Sequence, residues 1–223
     1  DQGVRATGWL KKPEDSWYHF TPDGIMETGW YQEGQKDRYY LNKAGEGTEG
    51  LMRTVMKNAV ILRDHPENYD ARAEIMWAGS LSHNGLTGCG SDGGDWASHG
   101  LEHEMGGMFD VTHGAGLAAV WGSWARYVYR DCLDRFVKFA VRVMGAEAGG
   151  APGETALRGI EAMEDFYRSI HMPTCFSELG ISPDEAQLQT MARMCAAAAG
   201  GKKGAAKVLF EADFLKIYQM ANH

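Results

Sequence analysis

The sequence predicts a mainly α protein, with an antiparallel helical domain over residues 47–223 preceded by a small β-hairpin repeat segment over residues 1–46. Two observations predict this division. An aromatic motif recurs after 21 residues in the first segment, and apolar residues recur at helical spacing beyond it. A chain of 223 residues is long enough for one sizeable core and a small appendage.

The first segment contains two similar units. Thr7-Gly8-Trp9 recurs as Thr28-Gly29-Trp30, and the aromatic run at residues 17–20 is answered by Tyr39-Tyr40. Each unit is typical of a hairpin, in which Gly-Trp opens one strand, a polar turn reverses the chain and an aromatic strand returns. Because two isolated hairpins have little core, one interpretation is that these aromatic side chains only cover one another and the neighbouring domain.

The second segment is predicted to be helical. Helices are expected near residues 49–63, 68–83, 95–108, 113–144, 155–170, 182–199 and 211–220. On the second of these, Ala71, Ile75, Met76 and Leu81 are expected to share the apolar face. The helix near Ser182 begins Ser182-Pro183-Asp184-Glu185, which predicts a capping box with proline in the first turn.

Charge and composition exclude several classes of partner. A net charge of −8 with scattered basic residues argues against a nucleic-acid partner. No stretch approaches the roughly 20 apolar residues that a membrane span needs.

The four cysteines are widely spaced, without a CxxC pair, which predicts reduced thiols: Cys89, Cys132, Cys175 and Cys195.

Three histidines lie within the stretch 95–114. His99 and His103 are four residues apart, so on a helix both imidazoles share a face. Gly106-Gly107 is expected to weaken the helix and turn the chain, which would return His113 to the same pocket. Imidazole suits iron or zinc. From spacing alone, a metal site and polar histidines on a helix edge both stay open.

The motif H-x3-H-x9-H followed by glycine is similar to that of the iron-containing alcohol dehydrogenases. Residues 68–85 resemble the butanol dehydrogenase branch, and Phe214–Tyr218 resembles the family's terminal helix. The resemblance extends over nearly all of residues 49–223. It implies the dehydroquinate synthase-like helical domain that forms the C-terminal half of these enzymes.

The resemblance also implies roles for the histidines. His99 and His113 would be ligands of Fe2+ or Zn2+, and His103 would be the catalytic residue beside the substrate and the nicotinamide. The substrate would be a small alcohol or aldehyde, and hydride would pass between it and NAD(P). A cytoplasmic location follows from the same resemblance, and a homo-oligomer stays open.

Two of the family's metal ligands are missing from the expected place. They are an Asp and a His four residues apart on a preceding helix, where this sequence has the aromatic repeats. Asp15 and His19 have that separation, but His19 belongs to a predicted strand, so we interpret the match as coincidence. Asp95 is an alternative ligand. Two imidazoles alone predict a partial site with weak metal binding.

The nucleotide-binding half of the family is not recognisable in these residues. Gly88–Gly93 satisfies GxGxxG, but no hydrophobic strand precedes it, so we interpret it as a loop and predict no cofactor-binding residues. NAD(P) is expected only if a nucleotide-binding domain is supplied elsewhere. Hydride transfer by this chain alone is therefore not expected.

The aromatic repeats resemble the choline-binding or glucan-binding repeats of Gram-positive surface proteins. In that family, aromatic rings form cages for the quaternary ammonium of choline. The resemblance implies a choline site made by Trp9, Trp17, Trp30 and Tyr39. A second hypothesis follows, in which the protein lies at the cell surface, binds choline or cell-wall carbohydrate, and carries a catalytically silent helical domain.

Overall fold

A computed structural model describes residues 8–11, 17–20, 29–33, 37–41, 46–85, 87 and 94–223. The chain divides into two compact units, one ending at Gly94 and the other extending from Asp95 to His223. The domain boundary predicted between residues 46 and 47 is a different division, based on the sequence repeat, and it stays a prediction.

The two aromatic repeats each form a two-stranded antiparallel sheet. Strand β1 (Gly8–Lys11) pairs with β2 (Trp17–Phe20), and β3 (Gly29–Glu33) pairs with β4 (Asp37–Leu41). The Cα register aligns Trp9 with His19 and Trp30 with Tyr40. The structure does not describe the side chains of the four predicted choline-binding residues, Trp9, Trp17, Trp30 and Tyr39. Asp15 also lies outside the described residues.

Helices α1 (Glu46–Asp64) and α2 (Tyr69–His83) pack against each other. Helix α2 begins where the Asn68 side chain accepts a hydrogen bond from the Ala71 backbone N–H at 2.9 Å. Ala71 and Ala78 are its buried residues, whereas Met76 is 73% exposed. The prediction that Met76 shares the buried face was wrong, because five residues rotate it about 140° from Ala71 at 3.6 residues per turn.

The second unit contains the remaining helices of the described chain. They are α3 (Ala97–Phe109), α4 (His113–Val128), α5 (Leu133–Arg142), α6 (Pro152–Ser169), α7 (Phe176–Leu179), α8 (Glu185–Ala198) and α9 (Glu211–Ala221). Helix α4 lies at the centre, where it contacts α3, α6, α7 and α9. The core around it includes Leu101, Val120 and Phe214, which are all 0% exposed.

The single helix predicted over residues 113–144 is two helices, α4 and α5. The break leaves Cys132 at φ −138° and ψ 47°, outside the helical region. Phe136 of α5 packs edge-to-face on Tyr129 from the end of α4, with ring centroids 6.5 Å apart. Neither glycine nor proline marks the break, so the continuous helical pattern of the sequence concealed it.

The start of α8 also differs from the prediction. Its N-cap is Asp184, not Ser182: the Asp184 carboxylate accepts from the Gln187 backbone N–H at 2.8 Å, and the Gln187 side chain accepts from the Asp184 N–H at 2.9 Å. This reciprocal pair is a capping box two residues later than expected. Pro183 therefore precedes the cap, where it cannot disturb the helical hydrogen bonds.

The thiol prediction is confirmed for the cysteines that the structure describes. Cys132, Cys175 and Cys195 are free, and Cys89 lies outside the described residues. Among the described helices, none combines the length and apolar character of a membrane span.

Candidate metal site

The histidine-bearing helix α3 is held in place at its start by Asp95. One oxygen of this carboxylate accepts from the Ala97 backbone N–H at 2.9 Å, and the other accepts from the N–H groups of Ala205 and Ala206, both at 2.7 Å. Between Asp95 and the helix, Trp96 adopts φ 57°, an uncommon conformation for a large side chain. Asp95 thus ties the loop before α9 to the first turn of α3.

One face of α3 is sealed into the core. Ala97, Leu101 and Met105 are 0% exposed, and the buried Tyr218 hydroxyl of α9 donates to the Leu101 carbonyl at 2.6 Å. These four-residue steps make a continuous apolar stripe. His99 is half-buried and His103 is exposed on the remaining surface.

The chain turns between α3 and α4 later than the glycines suggest. Helix α3 continues through Gly106 and Gly107 to Phe109 and ends where Asp110 adopts φ 53° with its N–H donating to the Gly106 carbonyl. His113 is then the first residue of α4. The turn expected at Gly106 and Gly107 is instead made by Asp110 in the left-handed conformation.

The turn brings the three histidine rings together. Ring centroids are 5.5 Å apart for His99 and His113, 5.6 Å for His103 and His113, and 6.5 Å for His99 and His103. Trp96 meets His99 edge-to-face at 4.9 Å. The structure therefore places all three predicted site histidines in one cluster at the junction of α3 and α4, and their chemical roles stay predictions.

A glutamate that the sequence argument did not single out completes the cluster. The Glu102 side chain is 2% exposed, and its carboxylate is hydrogen-bonded to Nδ1 of His113. The donor atoms of Glu102, His103 and His113 all lie within 4.8 Å of one another. A buried carboxylate requires a hydrogen-bonded partner to offset its lost hydration, and His113 supplies one.

Two glycines leave the space that Glu102 occupies. A Cβ atom on Gly116 of α4 would lie 2.8 Å from Cγ and 2.9 Å from Oε1 of Glu102, and one on Gly106 would lie 3.3 Å from Oε1. Distances below 3.0 Å are not found between a real Cβ atom and its neighbours. Glycine at these positions therefore allows the carboxylate to pass between α3 and α4.

Burial raises the pKa of a thiol and of a carboxyl group beside the cluster. Burial raises the pKa of the Cys195 thiol to about 12, so it stays protonated at neutral pH. Burial also raises the pKa of the Glu104 carboxyl, which the adjacent His103 lowers to a smaller extent. The Cys195 thiolate is therefore not available as a nucleophile at neutral pH.

Both parts of the chain match known protein families. Residues 47–221 match the family described as Fe-containing alcohol dehydrogenase family, C-terminal. The chain belongs to the Fe-containing alcohol dehydrogenase family. Residues 7–26 and 28–46 match the putative cell wall binding repeat. Both resemblances predicted from the sequence are confirmed.

Members of the family with sequences similar to this chain are named as butanol dehydrogenases. The chain is 33% identical over 172 residues to NADH-dependent butanol dehydrogenase A of Clostridium acetobutylicum, covering 77% of this chain and 43% of that protein. It is 35% identical over 170 residues to the probable NADH-dependent butanol dehydrogenase 1 of Bacillus subtilis, covering 76% and 43%. The chain thus spans less than half the length of these relatives.

Solved structures of the family share the fold. NADH-dependent butanol dehydrogenase A from Thermotoga maritima superposes with a TM-score of 0.75 at 32% identity, covering 81% of this chain and 46% of that one. The aldehyde reductase YqhD of E. coli, free of substrate and cofactor, gives 0.72 at 27% identity, covering 79% and 45%. The mainly α fold predicted for residues 47–223 is confirmed.

The histidine geometry is compatible with the metal that the family name implies. An imidazole ligand holds zinc at about 2.0–2.1 Å, so its ring centroid stands about 3.2 Å from the ion, and two rings at a tetrahedral angle are separated by about 5.2 Å. The His99–His113 separation of 5.5 Å is close to this value. Imidazole nitrogens also suit iron or zinc.

Asp95, the alternative ligand, has a different task in the structure. Both of its oxygens accept backbone hydrogen bonds, from residues 97, 205 and 206. It precedes α3 rather than lying one turn before His99 on the same helix. Residues 88–93, which satisfy GxGxxG, lie outside the described residues.

Proposed function

We propose that residues 47–223 are the metal-binding, substrate-side domain of an alcohol or aldehyde oxidoreductase of the butanol dehydrogenase type, with residues 1–46 as a separate repeat domain. The observation that carries this proposal is the convergence of the three histidine rings, with centroid separations of 5.5–6.5 Å, on the junction of α3 and α4. The names of the similar proteins support the substrate class.

In this proposal His99 and His113 hold Fe2+ or Zn2+ as a partial site. A metal ion bound there would act as a Lewis acid on an alcohol or carbonyl oxygen. His103 is the neighbouring exposed ring, so it is placed to accept or donate the hydroxyl proton of a substrate. Asp95 and Tyr218 anchor α3, the helix that carries His99 and His103, and proximity catalysis requires such fixed positions.

The cofactor side of the reaction belongs to protein outside these residues. Relatives of the chain are named as NADH-dependent enzymes, and the chain covers 43% of their length. A nicotinamide cofactor supplies the hydride chemistry. We therefore propose that these 223 residues alone do not transfer hydride, and that NAD(P) is held by a nucleotide-binding domain supplied elsewhere.

Metal content tests the first part of the proposal. The chain is purified with iron or zinc present, and its metal is measured by elemental analysis beside the double variant His99→Ala, His113→Ala. A matched double variant, His65→Ala, His223→Ala, removes two exposed histidines that lie elsewhere. We expect saturable but weak binding in the parent and the control, and loss in the site variant. Equal metal in all three proteins would overturn the proposal.

Oxidation of NADH tests the second part. With butyraldehyde, NADH and excess metal, the isolated chain is expected to show no change in absorbance at the nicotinamide band. Turnover by the chain that disappears in the His103→Ala variant would show that these residues contain their own cofactor site, contrary to the proposal.

The match of residues 7–26 and 28–46 to the putative cell wall binding repeat favours a second function. We propose that Trp9, Trp17, Trp30 and Tyr39 bind choline or a cell-wall carbohydrate, which would place the protein at the cell surface rather than in the cytoplasm. Choline titration followed by tryptophan fluorescence should then saturate in the millimolar range. The same titration on Trp9→Ala, Trp30→Ala should not, and a flat response in the parent chain would exclude choline.

A further inference from the structure

The buried contact between Glu102 and His113 bears on which ring nitrogen of His113 carries the proton. An imidazole that binds a metal uses one ring nitrogen, and the other nitrogen donates its proton to a carboxylate or carbonyl that fixes the tautomer and the ring orientation. In this structure the carboxylate of Glu102 is hydrogen-bonded to Nδ1 of His113. Nε2 is therefore the nitrogen that stays available.

The carboxylate is fixed in this position by its surroundings. Glu102 is 2% exposed, on a helix whose neighbouring residues Leu101 and Met105 belong to the core. The clearance left by Gly106 and Gly116 fits its side chain, with hypothetical Cβ distances of 2.8–3.3 Å. A side chain enclosed in this way cannot swing to solvent, whereas His113 is 53% exposed and reaches outward.

We propose that Glu102 is a positioning residue, which holds the His113 ring as the Nδ1–H tautomer so that Nε2 faces the metal. The proposal rests on the proposed function for the identity of the metal ligand, and it assigns Glu102 no bond to the ion. In the structure the carboxylate is hydrogen-bonded directly to Nδ1. Glu102 therefore acts on the metal through His113.

The tautomer of His113 can be read without any metal. Long-range 1H–15N correlation spectra of the full chain are recorded at pH 8.5, with signals assigned from a His113→Ala sample. We expect the Nδ1–H form in the parent chain. Glu102→Leu removes the acceptor and should shift His113 toward the Nε2–H form. Glu102→Gln keeps an acceptor oxygen and should restore the Nδ1–H form in large part.

Zinc titration provides the functional readout. Loss of an outer carboxylate of this kind lowers metal affinity by about 10–100-fold, so Glu102→Leu should weaken zinc binding by about that factor. Glu102→Gln should have a smaller effect. The matched control is Glu104→Leu, the same change two residues along α3 at a half-buried position, and it should leave both the tautomer and the affinity unchanged.

A second variant keeps Glu102 and fills part of the space that its side chain occupies. Gly116→Ala places a methyl group 2.8 Å from Cγ of Glu102, whereas Gly107→Ala meets nothing within 4 Å. The first should shift the His113 tautomer and the second should not. This pair tests the proposal if Glu102→Leu fails to fold.

Three results would overturn the proposal. The first is an Nε2–H tautomer of His113 in the parent chain. The second is a His113 tautomer and a zinc affinity that are both unchanged in Glu102→Leu. The third is an X-ray absorption spectrum that shows a carboxylate oxygen bound to zinc in the parent chain and not in Glu102→Leu. The last would make Glu102 a ligand. If the parent chain binds no zinc, the proposed function fails, and the tautomer measurement still decides the role of Glu102.

Discussion

Substitution of Gly159 by alanine tests the close approach of α5 and α6. Gly159 of α6 lies against Ala140 of α5, which is 0% exposed. A Cβ atom at position 159 would stand 2.4 Å from the Ala140 Cβ, 2.6 Å from its Cα and 3.2 Å from its backbone nitrogen. Two of these three neighbours are backbone atoms, so no rotamer change relieves the overlap.

The expected loss of stability follows from these distances. Ordinary contact begins at 3.4 Å, so α5 and α6 must separate by about 1 Å. Overpacking of a well-packed core costs about 1–3 kcal/mol, and this case belongs to the upper part of that range because backbone must move. Replacement of glycine by alanine inside a helix returns about 0.5–1 kcal/mol. We therefore predict a net loss of about 1–2 kcal/mol in the free energy of unfolding.

Urea denaturation followed by far-UV circular dichroism measures this change, with the m-value expected to stay constant. Gly153→Ala is the control on the same helix, because its Cβ would meet only Tyr129 Cε2 at 4.0 Å. That variant should be as stable as the parent or slightly more stable. If Gly159→Ala were as stable as Gly153→Ala, the close approach of α5 and α6 in this structure would be wrong.

Three further predictions concern polar contacts of the second unit. Asp95→Ala should lower the free energy of unfolding by about 1–3 kcal/mol in urea denaturation, because three backbone donors lose their acceptor; an unchanged midpoint would contradict the anchoring role. Glu164→Gln should destabilise the chain more than the double variant Arg126→Met, Glu164→Leu does, since it leaves the guanidinium without its bidentate partner; the opposite order would show that the pair does not couple α4 to α6. The Tyr127 hydroxyl donates to the Asp213 carboxylate, which raises the pKa of Tyr127 to about 12 from 10.0. Its contribution to stability is thus present below pH 10 and lost as pH rises toward 12. Tyr127→Phe should show a shallower loss of stability than the parent between pH 10 and 12, and equal slopes would contradict this assignment.

Helical periodicity was sufficient to predict most of the fold. It predicted helices at α1, α2, α6 and α9 to within a few residues, because apolar residues recur at helical spacing in each of them. It failed at Tyr129–Cys132, where the chain turns without glycine or proline and the apolar pattern continues on both sides. After the turn α5 packs on α6, and such long-range packing leaves no local mark in the sequence.

The candidate site was predicted in part. The spacing of His99 and His103 predicted a shared helix face, and the return of His113 was expected although its cause was misassigned to the glycines. Glu102 was missed because a charged residue between two histidines is typical of a solvated helix surface. Its burial depends on Gly116 of the following helix, and only the packing of α3 on α4 shows that relation. The glycine at position 116 and the apolar neighbour Leu101 were the available signals.

The position of the bound metal can be measured by crystallography. Crystals of the chain grown or soaked with zinc would be measured on both sides of the zinc absorption edge to give an anomalous difference map. We predict one strong peak within ligand distance of His99 and His113. The Glu102 carboxylate should be hydrogen-bonded to Nδ1 of His113, the ring nitrogen that does not bind the metal. A map with no peak beside these two rings, or with its strongest peak at other residues, would contradict the proposed metal site.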